Sequence, residues 1–168
     1  HGYREVGQEY LQNVLDTAKQ LDAYDSGRIY YYLGEYQKAY LALDEARDKG
    51  GADSYLYLGR AYAATGDYNY ASSVYNNYLS KQGPNAEIYN ELGLCEMAKK
   101  EYQNALAAFQ AGKQIEGNSL MQTLCFNEIV AYEYLEDYQQ AEVLMNAYLQ
   151  NYPDDQTAIR EQQFLSTR

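Results

Sequence analysis

The chain has 168 residues, 46% of them hydrophobic, and a formal net charge of −11 at pH 7. This hydrophobic content is enough for a folded core and argues against disorder, and no apolar run approaches the roughly 18 residues that a membrane-spanning helix needs. The negative charge disfavours nucleic acid and anionic membranes as partners, because both attract a basic face. We expect it mainly to keep copies of the chain apart in solution.

The first segment, residues 3–19, has apolar residues at a helical period. Gly7 lies 32 residues before Ala39, so this helix corresponds to the second half of an incomplete repeat unit. It is either an N-terminal cap or the end of a protein that continues upstream. Because the chain begins with His1 rather than Met, we expect that the native start has been removed with any targeting segment. The localisation therefore stays open.

A short motif then recurs four times: a turn, a Tyr and, three residues later, an Ala. The alanines Ala39, Ala71, Ala105 and Ala141 are 32, 34 and 36 residues apart. The stretch 55–78 is typical of two short antiparallel helices joined by a tight turn. Since one such hairpin cannot cover both of its apolar stripes, a period near 34 indicates a repeat protein whose units stack on each other.

The alanine spacing divides the chain into consecutive segments of a single domain, 1–168. Gly83-Pro84-Asn85 is a clear break, because Pro can open a helix but cannot continue one. The two extra residues of the longest spacing are expected in the loop around 115–118. The predicted segments are an N-terminal helix (3–19), repeat 1 (20–51), repeat 2 (52–85), repeat 3 (86–121), repeat 4 (122–155) and a capping helix (156–168).

The repeat units resemble those of the tetratricopeptide repeat family, which carry Leu-Gly and Tyr in the first helix and Ala in the second. Repeat 2 matches best, through Tyr55, Leu58, Gly59, Tyr62, Tyr68, Ala71 and Tyr75. Repeat 4 departs from the pattern, with Glu128-Ile129 in place of Leu-Gly. The resemblance implies an all-α fold, a right-handed α-solenoid of antiparallel helix pairs. This superhelix would have about four units, an N-terminal half-unit and a C-terminal capping helix.

The recurring small residues have a physical reason that does not depend on the family. Gly27, Gly59 and Gly93 occupy the place where the first helix of a hairpin meets the second, so that the backbones can approach closely. Enlarging one of these residues should overpack the crossing by about 1–3 kcal/mol. The 22 tyrosines of the chain then fill the wider gaps.

In this family the first helix of each unit lines a concave groove and carries the ligand contacts. Transferred onto this sequence, the resemblance implies a peptide-binding groove formed by Tyr24, Arg28, Tyr31, Tyr32, Leu56, Arg60, Asn90, Leu94, Met97, Phe126, Val130, Glu133 and Tyr134. Some members clamp the C-terminal carboxylate of a chaperone with Lys and Asn residues. That clamp is absent here, because the matching positions hold Tyr24, Arg28, Tyr57, Glu87 and Glu91.

Arg28 and Arg60 occupy equivalent positions in successive units and should stand side by side. Two guanidinium groups suit an anionic group such as a carboxylate, unless each pairs with a local acid such as Asp25 or Asp53. Tyr31, Tyr32, Phe126 and Tyr134 are candidates for an aromatic floor under an extended peptide. The alternative is that these rings pack against their neighbours and expose only their hydroxyl groups.

Catalysis finds little support in the sequence. The only histidine is His1, so no His-based nucleophile activation or metal cluster is available. We expect Cys95 and Cys125 to be small buried apolar residues without a disulfide between them. Gly-rich phosphate loops are missing. We therefore expect no enzyme activity, no cofactor and no metal.

Two functions remain open. The first is a protein–protein interaction scaffold that binds a peptide segment or helix of a partner in the groove. The second is a structural assembly module that stacks end-on with itself or with an upstream domain through residues 3–19. Recognition of a glycan by the tyrosines is a weaker third possibility.

Overall fold

The computed structural model describes residues 2–18 and 20–168, with side chains from Glu5 onward. His1 and the side chain of Tyr3, both used in the predictions, lie outside the described residues. The described part is all-helical. Its helices are α1 (Gly2–Thr17), α2 (Ala23–Leu33), α3 (Tyr36–Asp48), α4 (Ser54–Ala64), α5 (Tyr68–Gln82), α6 (Ala86–Ala98), α7 (Tyr102–Lys113), α8 (Met121–Tyr134), α9 (Tyr138–Asn151) and α10 (Gln156–Leu165).

The helices form two compact units, one ending at Gln82 and the other beginning at Gly83. In the first unit, α2 packs on α3, α3 on α4 and α4 on α5, while α1 packs on α2. In the second unit, α6 to α10 pack in the same consecutive manner. Across the described residues, every helix is too short or too polar to serve as a membrane span.

The helix crossings are built on the predicted small residues. A Cβ atom on Gly59 would lie 2.3 Å from Cε1 of Tyr75, and one on Gly93 would lie 2.3 Å from Cε1 of Phe109. The four repeat alanines are fully buried. The first three hairpins therefore close by placing a large side chain of the second helix (Leu43, Tyr75 or Phe109) against a residue without a side chain.

The fourth hairpin solves the same problem differently. Ile129 takes the place of the glycine, and Met145 takes the place of the ring that faces it; both are buried. Because methionine is unbranched and flexible, it fits around a β-branched neighbour where a rigid aromatic ring would collide. The unusual Glu128-Ile129 pair thus stays compatible with a closed hairpin.

The turns inside the hairpins share one backbone conformation. Gly34 (φ 80°), Gly66 (φ 84°), Lys100 (φ 65°) and Glu136 (φ 61°) all lie five residues before a repeat alanine. This left-handed conformation ends the first helix and is easily adopted only by glycine. Two of the four turns therefore carry backbone strain.

Helix starts and loops also follow the sequence. Asn85 caps α6 by accepting hydrogen bonds from the backbone N–H groups of Glu87 and Ile88. The longest connection, 114–120, is ordered by Asn118, whose Nδ2 donates to the carbonyl of Ile115 at 2.6 Å. At the end of the second unit, α10 buries Ala158 and Leu165 against α9 and closes the core there.

Candidate functional site

In the first unit, α2 and α4 bring most of the predicted residues around one ring that was not predicted, Tyr57. We call this surface the tyrosine–arginine cluster; it consists of Tyr24, Arg28, Tyr31, Tyr32, Tyr57 and Arg60. Leu56, which was also predicted, directly precedes Tyr57 on α4 and is half-buried.

The aromatic contacts of the cluster centre on Tyr57. The ring centroids of Tyr24, Tyr31 and Tyr32 lie 6.2, 5.7 and 5.8 Å from that of Tyr57, all in edge-to-face orientations. This geometry is favourable because the positive edge of one ring meets the negative face of another. The rings therefore form a preorganised wall rather than four independent side chains.

The two arginines share this wall. The guanidinium carbon of Arg28 lies 5.1 Å from the centroid of Tyr57 and that of Arg60 lies 5.6 Å from it, both within cation–π distance. The expected pairing of Arg28 with Asp25 is weak, since Nη1 and Oδ1 are 3.8 Å apart and both side chains are exposed. Nε of Arg28 is buried and has no hydrogen-bond partner.

Two phenols of the cluster, Tyr24 and Tyr32, have a raised pKa. The hydroxyls of Tyr32 and Tyr57 are 2.9 Å apart, and this hydrogen bond raises the pKa of Tyr32. Burial raises the pKa of Tyr24, although the charge of Arg28 acts in the opposite direction. Tyr32 is 51% exposed, so the wall is open to a ligand. The cluster thus combines cationic groups with neutral, hydrogen-bonding rings.

In the second unit, the predicted residues on α6 and α8 form a more polar surface. Nδ2 of Asn127 donates to Oδ1 of the buried Asn90 at 2.9 Å, which joins the two helices. Next to this pair is a cavity of about 290 Å³, lined in part by Gln122, Phe126 and Asn127. Asn127 and Gln122 were not predicted.

A hydrogen-bond network forms the floor of this cavity. The hydroxyl of Tyr148 donates to Oδ2 of Asp155 at 2.6 Å, and Nε2 of Gln122 donates to the same hydroxyl at 3.1 Å. Burial, followed by the bond to Asp155, raises the pKa of Tyr148 to about 12, and the same bond lowers the pKa of Asp155. The ring of Phe126 packs edge-on against Tyr148, with centroids 5.7 Å apart.

The remaining predicted residues of the second unit are dispersed. Leu94 is exposed, Val130 is half-buried and Met97 packs against the hydrophobic core. Tyr134 is 57% exposed and stacks on Tyr102 at 5.0 Å, whereas Phe126 contacts Tyr148. These two aromatic residues therefore contact different rings and do not share one floor.

The pKa of Glu133, on the α6–α8 surface, is far from its ordinary value. Burial, reinforced by the nearby carboxylate of Glu161 on α10, raises the pKa of Glu133 to about 7. Its Oε1 atom is buried. This half-buried acid is therefore partly protonated at neutral pH.

Two of the residues that sequence reasoning missed share one register. Tyr57 and Asn127 lie fourteen residues before their repeat alanines, one position after the predicted Leu56 and Phe126. Among the predicted residues, Arg60 is three positions from Tyr57, so a helical wheel of α4 alone places them on one face. That spacing is a signal that would have found Tyr57.

Metal and redox chemistry have no clear site in the described part of the chain. No group of three or more His, Cys, Asp or Glu side chains there could hold a metal ion. Cys95 is buried and Cys125 half-buried, and both are free thiols. Burial raises the pKa of Cys95 to about 12 and also raises that of Cys125, so both thiols are neutral.

The fold and these surfaces define a helical repeat protein built from consecutive hairpins. A tetratricopeptide repeat family model matches residues 24–69 and 58–118, and a second tetratricopeptide repeat model matches residues 126–155. The chain belongs to the tetratricopeptide repeat family, as its alanine and glycine spacing predicted. No curated protein sequence matches it.

Solved structures share this fold. MamA (AMB-1) is 21% identical with a TM-score of 0.69, over 96% of this chain and 81% of that one. Cut9–Hcn1 of the APC/C is 19% identical with a TM-score of 0.68, over 98% of this chain and 33% of that one. The second such domain of human RPAP3, in complex with the HSP70 peptide SGPTIEEVD, is 16% identical with a TM-score of 0.58, over 66% and 90%. These likenesses confirm the all-α helix-pair fold.

Proposed function

We propose that this protein is an interaction scaffold whose α2–α4 face binds an extended peptide segment of a partner, with an acidic group of the peptide at the tyrosine–arginine cluster. The observation that carries the proposal is the convergence of Arg28 and Arg60 on the ring of Tyr57. An anion placed there meets guanidinium donors held in position by rings, and a carboxylate suits their fork geometry.

The cluster is also suited to a peptide for entropic reasons. Tyrosine side chains lose little conformational freedom on binding, and here their edge-to-face contacts fix them before the partner arrives. The hydroxyl groups of Tyr32 and Tyr57 offer hydrogen bonds to a peptide backbone. The face therefore provides apolar area, hydrogen bonds and positive charge within one small region.

The second unit offers a matching surface of different chemistry. The carboxamides of Asn90 and Asn127 and the cavity beside Phe126 present donors and acceptors but no cation. We expect this surface to hold a neutral peptide segment, with one apolar side chain in the cavity.

The RPAP3 domain shows that a protein of this fold can be solved with a bound peptide. The Lys and Asn clamp that some members of the family carry for a C-terminal carboxylate is absent from this sequence, so we expect no preference for a free C-terminus. The peptide SGPTIEEVD should bind no better with a free C-terminus than with an amidated one. A clear preference for the free carboxylate would contradict this.

Selection of peptides from a random 12-residue display library on the immobilised protein tests the proposal. We expect enrichment of Asp or Glu next to apolar residues. For a selected peptide, isothermal titration calorimetry should show at least tenfold weaker binding by the double variant Arg28→Glu, Arg60→Glu, equivalent to about 1.4 kcal/mol.

The matched control is the double variant Lys81→Glu, Arg160→Glu. It makes the same change in net charge at two exposed positions outside the cluster. Binding by the control should stay within about twofold of the unmodified protein at 0.15 M salt, because neither residue belongs to the cluster and salt screens exposed charges. Equal losses in both double variants would reduce the effect to net charge and reject the site.

A second function, end-on self-assembly through α1, is favoured by a separate observation. Val6 is 65% and Tyr10 69% exposed on α1, and no atom lies within 4 Å of where a Cβ on Gly7 would stand. Gly7 is in register with Ala39, which is buried by a partner helix in its own hairpin. An apolar helix face of this kind is typical of an interaction surface.

Sedimentation velocity distinguishes the two functions. If copies stack through α1, the protein sediments as a dimer or larger species at micromolar concentration, and the double variant Val6→Glu, Tyr10→Glu is monomeric. Leu41→Glu, at an exposed position of α3, is the control and should change nothing. A monomeric unmodified protein at 100 µM would exclude this assembly.

A further inference from the structure

The fourth hairpin lacks an aromatic ring that the second and third hairpins have. Tyr55 and Tyr89 lie sixteen residues before their repeat alanines, and Cys125 occupies this position in the fourth hairpin. In the second hairpin, the buried Tyr55 packs edge-on against Tyr78, with centroids 5.7 Å apart. The residue equivalent to Tyr78 is Tyr148, so the fourth hairpin keeps one ring of the pair and has a thiol in place of the other.

A cavity lies beside Cys125, the residue that takes the place of the aromatic ring. About 340 Å³ of space lies between α7, α8 and α9, lined by Met121, Cys125, Leu144 and Tyr148, with Lys113 and Asn151 at its polar side. This volume falls at the lower end of the roughly 300–1,000 Å³ of small-molecule sites. It is also large enough to admit a six-membered ring, since a cavity of about 150 Å³ lined by apolar side chains is known to bind benzene.

The charged side chains at the polar side of the cavity are paired with each other, so their net charge is close to zero. Nζ of Lys113 forms an ion pair with the carboxylate of Glu128. The side chain of Lys113 is 24% exposed and that of Glu128 is 6% exposed. Nε2 of Gln110 donates to the other carboxylate oxygen of Glu128 at 2.9 Å. Because the lysine and the glutamate neutralise each other, the site offers hydrogen bonds without attracting a free ion.

The thiol of Cys125, which lines the cavity, has low reactivity because little of it is ionised. Burial raises the pKa of Cys125, so the group is a neutral thiol that behaves as a small apolar side chain. The cavity thus has apolar walls, two neighbouring aromatic rings, Tyr148 and Tyr152, and polar groups from Lys113, Glu128 and Asn151.

We propose that this cavity is a binding site for a phenolic ring: a small uncharged aromatic molecule with one hydroxyl group, or a tyrosine side chain with the same chemistry. The ring replaces the one that Tyr55 and Tyr89 supply in the other hairpins and packs against Tyr148. Its hydroxyl group reaches the polar end of the cavity. The site is independent of the tyrosine–arginine cluster, since it lies wholly in the second unit.

The test uses p-cresol, which has the shape of a tyrosine side chain, and follows alkylation of Cys125 by iodoacetamide. Only the empty site reacts, so at ten times its Kd the ligand should slow alkylation of Cys125 about tenfold by mass action. Cys95 is buried and should stay unmodified, so its alkylation would report unfolding of the protein. N-acetyltyrosinamide in a parallel arm distinguishes the sources: protection by both compounds favours a side chain, and protection by p-cresol alone favours a small molecule.

Calorimetry on variants locates the binding. Cys125→Tyr fills the space and should abolish binding of p-cresol, whereas Cys125→Ser keeps the space and should bind within about threefold of the unmodified protein, since a single small polar change in a pocket wall costs little. If Cys125→Tyr does not fold, Ala147→Phe narrows the cavity from an exposed position of α9. Unchanged alkylation in saturating p-cresol, or undiminished binding to a folded, filled variant, would overturn the proposal.

Discussion

At the scale of single residues, the helices of a hairpin approach each other where a side chain is missing. The ring of Tyr75 occupies the space that a side chain on Gly59 would need, and the two residues come from opposite helices of one hairpin. Interiors as dense as organic crystals cannot absorb an added methyl group at such a distance.

Gly59→Ala should therefore destabilise the protein by about 1–3 kcal/mol, measured by urea unfolding. Gly7→Ala is the control, because a Cβ there meets open space. In a helix this second change should stabilise by about 0.5–1 kcal/mol through the lower entropy of the unfolded chain. Equal effects of the two substitutions would mean that the crossing of α4 and α5 adapts without cost.

The hairpin turns provide a second residue-scale prediction. Lys100 and Glu136 adopt the left-handed conformation that Gly34 and Gly66 adopt in equivalent turns. Lys100→Gly and Glu136→Gly should each stabilise by about 0.5–1 kcal/mol, because glycine relieves the steric cost of positive φ. Gly66→Ala should destabilise by a similar amount. A loss of stability in both glycine variants would show that unfolded-state entropy outweighs the strain.

At the scale of helices, one acid pair joins α8 and α10: Glu133 lies close to Glu161. The pKa of Glu133 is about 7 instead of 4.5 because the group is partly buried and faces Glu161. The folded protein therefore binds a proton more tightly than the unfolded chain does. This contribution to stability is complete below about pH 4 and is lost as pH rises through 7.

Glu133→Gln keeps the neutral form at every pH and should remove this loss. We expect the variant to be more stable than the unmodified protein by about 1 kcal/mol at pH 8 and nearly equal to it at pH 4, since a half-exposed carboxyl keeps part of its hydration. Urea unfolding at the two pH values measures the difference, and hydrogen exchange in α10 locates it. The control is Glu116→Gln, in an exposed loop, which should leave the pH dependence of stability unchanged. If Glu133→Gln also left it unchanged, the pKa of Glu133 would not be raised in the folded protein.

At the scale of the whole molecule, the chain has 24 acidic residues and 13 basic ones. The excess of like charges opposes the compact state, and salt screens charges separated by more than about 10 Å at 0.1 M. Raising NaCl from 0.01 to 0.3 M should therefore raise the free energy of unfolding by about 1 kcal/mol, in an equilibrium denaturation series with urea. A decrease with salt would show that the surface ion pairs contribute more than the repulsion.

Much of the fold was predictable because the repeat pattern is local. Ala39 and Gly59 mark positions where any larger side chain would separate two helices, and such positions recur once per hairpin whatever the rest of the sequence does. The same pattern predicted Arg28 and Arg60 at equivalent positions, and their guanidinium carbons lie 5.1 and 5.6 Å from the centroid of Tyr57. The spacing of Tyr57 and Arg60 on α4 also places Tyr57 on this face. Which rings surround Tyr57 could not be predicted, because it depends on contacts between α2 and α4.

The sequence by itself determined the all-α repeat fold and its family, since helical periodicity and the spacing of small residues survive without knowledge of any contact. Only the tertiary structure decided which side chains meet: the rings around Tyr57, the acid pair of Glu133 and Glu161, and the empty space beside Cys125. The reason is that packing joins residues from different helices, and the shape left between them depends on every side chain that lines it.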